Sequence, residues 1–320
     1  MKILITGAAG FMGSHLSQKY VLAGHIVYAL DNLFNGNLNN IRTLLDKKNF
    51  KFIHDDICRE QVYRELPSDL DAIIHLAAQI HVDRSIVDPQ ETFKINVEGT
   101  LKILEFARMH DIKKTLYAST SEIYGSAEYA PMDEYHSLSA KHPYGASKIA
   151  ADRLCYSYNE TYDLGVDILR SFNSFGPRQK DNGYGGVIAI FIKRVLQNKP
   201  PIIYGDGNQT RDYMFVDDAI SAYDKVLMSE GNPGKEGINF GTGREISVNK
   251  IAEEVIKHAA ENKELEAVHV DPRPIEVRRL VADISKASKL LGFKPQIDFE
   301  RGITLLVDWY KRYQSELWTY

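Results

Sequence analysis

The sequence predicts an α/β chain, a doubly wound parallel sheet of the Rossmann kind with a smaller, interleaved C-terminal substrate lobe. Three observations predict it. Short apolar runs alternate with amphipathic stretches from Lys2 onward, and strands separated by helices need crossover connections and a parallel sheet. The first run closes on a glycine-rich turn holding Gly7, Gly10 and Gly13. After Ser171 the rhythm changes, with glycine, proline and asparagine gathering at 173–186 and 199–209, which marks loops.

Taken in order, Lys2–Thr6 is apolar enough for a buried strand, and 13–22 reads as a helix. Strand-like runs follow at 25–30, 51–54, 71–76, 114–118 and 166–170, with helical patterns at 90–110 and 143–162. Later helices are expected at 187–197, 216–228, 248–261 and 299–318. No repeat, low-complexity tract or flexible linker is visible. We therefore expect residues 1–172, with about 208–243, to form a dinucleotide-binding domain, and about 173–207 and 244–320 to form the second lobe.

Composition excludes several classes. Of 320 residues, 44% are hydrophobic and 26% charged, the profile of a globular protein rather than a disordered or fibrous one. The 39 basic and 43 acidic residues leave a net charge of −4, so no nucleic-acid footprint is expected. Two cysteines, Cys58 and Cys155, are too few for a disulfide framework and fit reduced thiols in a cytoplasmic protein. The glycine turn comes too early for a signal-peptide core, and no apolar run approaches the ~18 residues of a membrane span. The ten histidines show no paired ligand spacing, and no metal is expected.

Glycines between a strand and a helix have distinct jobs. One permits the tight turn, another lets the backbone approach a pyrophosphate, and the last lets helix pack on strand. The helix N-terminus then offers free N–H groups to phosphate oxygens. This places Gly7, Gly10, Phe11, Met12 and Gly13 against a dinucleotide. Asp31, with Asn32 beside it, ends the second strand. An acidic group there bonds the ribose 2′-hydroxyl and repels a 2′-phosphate. Asn32, Leu33, Phe34 and Asn35 follow with no arginine or lysine among them, so NAD is expected rather than NADP.

A second constellation follows the strand at 114–118. Ser119-Thr120-Ser121-Glu122-Ile123-Tyr124-Gly125 leaves its C-terminal end, and Tyr144-Gly145-Ala146-Ser147-Lys148 opens the next helix. Tyr144 and Lys148 lie one turn apart and share a face. An ammonium near a phenol lowers its pKa, which suits a base that takes a hydroxyl proton while hydride leaves the same carbon.

With these motifs the chain resembles the extended short-chain dehydrogenase/reductase family, the nucleotide-sugar epimerases and dehydratases. Also similar are Asp56-Ile57, His75-Leu76-Ala77-Ala78, Asn173-Ser174-Phe175-Gly176-Pro177-Arg178, Tyr204-Gly205-Asp206 and Arg211-Asp212-Tyr213. The resemblance implies that Tyr144 and Lys148 are catalytic, with Thr120 polarising the same C4 hydroxyl. It implies that Asp56 and Ile57 border the adenine, and that Leu76, Ala77 and Ala78 line the cofactor. Asn173 and Val187 fall among the substrate-binding positions, Tyr204 packs on the base, Arg211 and Arg273 clamp the diphosphate, and Glu276 meets the nucleotide ribose. Arginine suits a diphosphate because its planar fork binds phosphate bidentately. Where the family has glycine, this chain has Ile275. The resemblance also implies a homodimer through helices 90–110 and 143–162.

Every such reaction begins with oxidation at C4, and a base aimed at C5 decides the outcome. Glu122 resembles the base of the 4,6-dehydratases, and His81-Val82-Asp83-Arg84-Ser85-Ile86 also resembles those enzymes. Many of them carry aspartic acid where this chain has Ser121, whose hydroxyl can relay a proton. Gly176-Pro177-Arg178-Gln179 with Gly185-Gly186-Val187-Ile188 is closer to the 4-epimerases. Dehydration of a nucleotide sugar, UDP favoured, is the leading expectation. The alternatives are 4-epimerisation, decarboxylation of a UDP-glucuronate, 5,6-ene or C5-inverting chemistry, and a redox-sensing binder without turnover.

Overall fold

The computed structural model describes residues 1–181, 186–261, 264–272 and 277–317, with side chains to residue 313. Six strands carry the first half of the chain: β1 (Lys2–Thr6), β2 (Ile26–Leu30), β3 (Phe50–Ile53), β4 (Ala72–His75), β5 (Thr115–Thr120) and β6 (Val166–Ser171). A seventh, Ile238–Phe240, joins from late in the chain. The sheet order is Ile238–Phe240, β6, β5, β4, β1, β2, β3, parallel at every pairing. Strand order reverses between β1 and β4, and the crevice beyond their carboxyl ends is where such sheets bind ligands. The six predicted strands are β1 to β6, within a residue or two at each end, and Ile238–Phe240 was not expected.

Ile3, Ile5, Ile74, Leu116 and Leu169 are fully buried in one apolar core. That core continues into Phe175, Phe215, Phe299 and Leu306 of the C-terminal part, so one hydrophobic interior supports both sides of the crevice.

The helix expected at 90–110 is three pieces, Pro89–Phe93, a π turn at Lys94–Glu98, and Gly99–Met109. The extra residue of a π turn rotates a side chain out of the helical pattern. Here it turns Asn96 inward, where its amide bonds both backbone groups of Gln79 (2.8 and 2.9 Å) and the Ser147 hydroxyl (2.9 Å). The helix Pro143–Tyr162 is continuous.

The C-terminal part is built from much shorter pieces. Asn173–Phe175 pairs with Tyr213–Phe215, Ile202–Tyr204 pairs with Val268–Val270, and Thr210–Arg211 lies between Ile246–Ser247 and Arg279–Leu280. None of these strands, nor the helix Ser285–Leu291, was expected. Among the described residues, no helix is long and apolar enough to cross a membrane.

Candidate active site

A cleft of about 2380 Å³ opens at the switch point between β1 and β4. Its floor is the glycine turn. Gly7 has φ +71°, and a Cβ on it would lie 2.9 Å from the Ala77 nitrogen. A Cβ on Gly13 would lie 2.1 Å from the Gly7 carbonyl oxygen. Phe11–Leu22 begins there with Gly10 as N-cap, no side-chain cap and no acidic residue in its first turn. Its first N–H groups are therefore left for a ligand. Thr6 accepts the Leu76 and Ala77 N–H groups at 3.2 Å, and its hydroxyl meets His75 Nδ1 at 2.7 Å. Burial holds His75 neutral, its pKa pushed down to about 3.

Asp31 stands buried at the end of β2, its carboxylate accepting the Ala9 N–H (2.9 Å) and the Leu33 N–H (2.7 Å). Burial raises its pKa and those two bonds oppose the rise. Asn32 donates to Asp56 at 2.8 Å, and Asp56, Ile57, Leu76, Ala77 and Ala78 line the same cleft. This cradle fits a dinucleotide: close backbone approach, uncapped helix donors and a buried carboxylate, the kind of group that bonds a ribose hydroxyl, lie side by side. Lys180, remote in sequence, also reaches this corner, 3.4 Å from Asn35 and within electrostatic range of Asp31.

The groups expected to react gather where β5 ends. Thr120 accepts the Glu122 N–H at 3.3 Å and starts a single turn, Ser121–Ile123. Thr120, Glu122, Tyr144 and Lys148 all line the cleft. Ser121 does not. It is buried beneath the turn that carries its two neighbours to the cleft.

Lys148 departs from the expected pairing. Its Nζ donates to the Ala118 carbonyl at 2.5 Å and sits 4.3 Å from the centre of the Tyr117 ring. Burial brings its pKa down to about 8. Tyr144 is pushed up rather than down, by burial and then by the Glu122 carboxylate, with its hydrogen bond to Thr120 opposing. Sharing a helical face brings two side chains to one side of the helix without joining their tips.

Two features behind these groups hold them. Asp152 accepts both Arg170 Nε and Nη2 at 3.0 Å and the Ser119 hydroxyl at 2.7 Å. Arg170 Nη1 donates to the Tyr124 hydroxyl at 3.1 Å, which donates to Asn239 at 2.7 Å. The other is His142, which lines the cleft and lies 3.2 Å from Glu122. Reading the Tyr-Lys motif alone passes over His142, although an N-cap candidate directly before proline is a visible helix-start signal.

The opposite wall carries Asn173, Val187, Tyr204 and Arg211, all lining the cleft. Tyr204 is half exposed at the end of its strand, and Arg211 donates to the Thr210 carbonyl at 2.9 Å. Arg273, Ile275 and Glu276 lie outside the described residues.

The profile of the GDP-mannose 4,6 dehydratase family matches residues 4–306. The chain belongs to the nucleotide-sugar epimerase and dehydratase family. A Methanocaldococcus jannaschii member provisionally named UDP-glucose 4-epimerase is 42% identical, over 97% of this chain and 98% of that one. The UDP-glucose 4-epimerase of Thermotoga maritima, solved with UDP-glucose, superimposes with a TM-score of 0.91 at 32% identity, covering 98% of this chain and all of that one. The dTDP-glucose 4,6-dehydratase DesIV of Streptomyces venezuelae, solved with NAD, superimposes equally, with a TM-score of 0.91 at 31% identity over 99% and 98%. Members of the family thus catalyse two reactions on one fold, and the residues after Thr120 must be asked which reaction this chain supports.

Proposed function

We propose that the chain is an NAD-dependent nucleotide-sugar 4,6-dehydratase acting on a hexose, UDP-linked in preference to other nucleotides. One observation carries the reading: a carboxylate, Glu122, stands in the cleft close enough to Tyr144 to raise its pKa. Epimerisation at C4 needs no base at C5. Elimination does.

Bound in the glycine cradle, NAD would supply the hydride acceptor for C4 and the hydride donor for C6. Tyr144 takes the C4 hydroxyl proton while Thr120 orients that hydroxyl, and Lys148 faces the same pocket from the buried side. The resulting C4 ketone makes the C5 hydrogen acidic, and Glu122 takes it as a proton, the C–H electron pair moving toward C4. As C6–O breaks, Glu122 returns a proton to the departing hydroxide, which leaves as water, and once hydride has added at C6 the resulting enolate takes a solvent-derived proton at C5. The burial of Ser121 supports giving both roles to Glu122. Gly7, Gly10, Phe11, Met12, Gly13, Asp31, Asn32, Asp56, Ile57 and Leu76–Ala78 are the cofactor-binding residues of this reading. Asn173, Val187, Tyr204 and Arg211 bind the nucleotide sugar.

The same reading takes 1–172 with about 208–243 as the cofactor part of the chain and places the protein in the cytoplasm. It pairs two copies through Gly99–Met109 and Pro143–Tyr162, where Leu101, Met109 and Tyr162 are exposed apolar groups.

The second reading, UDP-sugar 4-epimerisation, is favoured by the 42% identical relative and by Gly176-Pro177-Arg178-Gln179. Incubation with UDP-glucose, UDP-N-acetylglucosamine, dTDP-glucose and GDP-mannose in deuterated water decides between them. A dehydratase yields a product lighter by one water with deuterium at C5. An unchanged sugar mass, inverted at C4 and free of deuterium, makes the chain an epimerase.

A further inference from the structure

His142 has three independent contacts, and together they fix its ring. It is the N-cap of Pro143–Tyr162, extended at φ −144° and ψ 159°, and its Nδ1 accepts the Gly145 N–H at 3.0 Å. A ring nitrogen that accepts carries no proton, so in the neutral ring the proton sits on Nε2. Nε2 lies 3.2 Å from Glu122 Oε2 and donates to it. The ring also lies nearly parallel to that of Tyr144, at 13° with centroids 5.9 Å apart. Gly145 leaves room for this arrangement: a Cβ there would come within 3.0 Å of the Glu122 carbonyl oxygen and 3.3 Å of His142 Cε1.

We infer that His142 is a positioning residue for Glu122, an inference that rests on the dehydratase reading. The helix cap orients the ring, and the ring holds one carboxylate oxygen. Oε1 has no protein hydrogen bond among the described residues and is left to meet C5 of the sugar. The ring is a fixed donor rather than a proton relay, because Nδ1 is committed to the cap and Nε2 already carries its proton. Positioning matters here because an ångström of misplacement costs about 100-fold in rate.

The test separates the cap from the carboxylate contact. Asparagine caps helices as well as any residue, but its side chain is too short to follow the imidazole to Glu122. His142→Asn should therefore melt close to the wild-type temperature. Reduction of bound NAD, followed at 340 nm after mixing with UDP-glucose or dTDP-glucose, should keep its wild-type rate. Uptake of solvent deuterium at C5 should fall about 10- to 100-fold, toward the level of Glu122→Gln.

Unchanged deuterium uptake overturns the inference, and so does an equal fall in both steps, which would mean a merely structural role. Wild-type protein that inverts C4 without any C5 deuterium sinks the dehydratase reading itself and takes the inference with it; that result appears before any variant is made. A further measurement needs no turnover. In protein labelled with nitrogen-15 at histidine, long-range proton–nitrogen correlation should show an Nε2–H tautomer that disappears in His142→Asn and shifts in Glu122→Gln. An Nδ1–H tautomer for His142 would contradict the geometry directly.

Discussion

The wall of the cleft that carries Gly7, Thr120 and Lys148 rests on strands of five and six residues and a helix of 20. The wall that carries Tyr204 and Arg211 rests on strands of three and two. The first is held by buried bonds, among them the Asp152–Arg170 pair, both partners nearly inaccessible. The second is tied by exposed pairs, Arg278 to Asp206 at 2.9 Å and Arg279 to Glu245 at 2.6 Å. Exposed pairs of this kind contribute little, because solvent screens them and holding two long side chains together costs entropy. The groups proposed to do the chemistry are thus mounted on the sheet, while the wall proposed to read the nucleotide and sugar is mounted where small changes are cheap. One scaffold can then serve relatives with different substrates.

The contrast can be broken most severely at Tyr144. Tyr144→Phe keeps the ring and its packing against His142, so the melting temperature and NAD retention should stay near wild type. The rate of C4 oxidation should fall about 10²- to 10⁴-fold, the usual worth of a positioned acid–base group. Single-turnover absorbance at 340 nm checks both, since retained cofactor gives the signal its ceiling.

A smaller effect sharpens the comparison at Lys148, whose pKa in the folded protein, about 8, lies below the ordinary 10.5. Below pH 8 folded and unfolded chains both carry the proton, and the desolvation penalty is complete. Between about pH 8 and 10.5 the unfolded chain binds more protons than the folded one, so stability contributed through this group rises with pH. Wild type should gain on Lys148→Met across that window in paired urea or thermal melts. A constant difference from pH 7 to 10.5 would show that burial does not depress this lysine.

The smallest effect belongs to the other wall. Arg279→Ala removes a half-exposed, solvent-screened pair and should leave the melting temperature near wild type. Its influence should appear instead as a raised KM for the nucleotide sugar with little change in kcat, because Arg279–Leu280 supports the strand bearing Arg211. A large fall in melting temperature would mean that the two walls are equally deep in the structure after all.

The same contrast governs how far the sequence could be read. Strands buried on both faces appear as apolar runs, and spaced glycines between strand and helix mark a tight turn, so six of the sheet's strands, the glycine turn and the place of Asp31 at the end of β2 were legible. The strands at 202–204, 210–211 and 279–280 are too short and too exposed to show a period. The π turn left the apolar pattern around Asn96 intact and so stayed hidden. Lys180 was missed because only the residues adjoining Asp31 were weighed, whereas the fold brings this lysine in from the other side. The Tyr144–Lys148 spacing was real, but helical geometry states which face a side chain leaves from, not which carbonyl its ammonium finds. Ser121 and Glu122 look alike as neighbours of Thr120, and only the turn after β5 separates the buried one from the one in the cleft.

The seventh strand has a consequence for how the protein comes into being. Between Ser171 and Ile238 the chain leaves the sheet, builds much of the opposite wall, and returns to pair with β6. Pairing across so long a separation is slow to form, and until it does β6 has an open edge. Asn239 arrives with that strand and accepts from the Tyr124 hydroxyl, which in turn receives Arg170. A nascent chain stopped at residue 172 would already contain Thr120, Glu122, Tyr144 and Lys148. It would lack the side chain that locks the segment aiming them, so the groups proposed to be catalytic are synthesised early and become competent late.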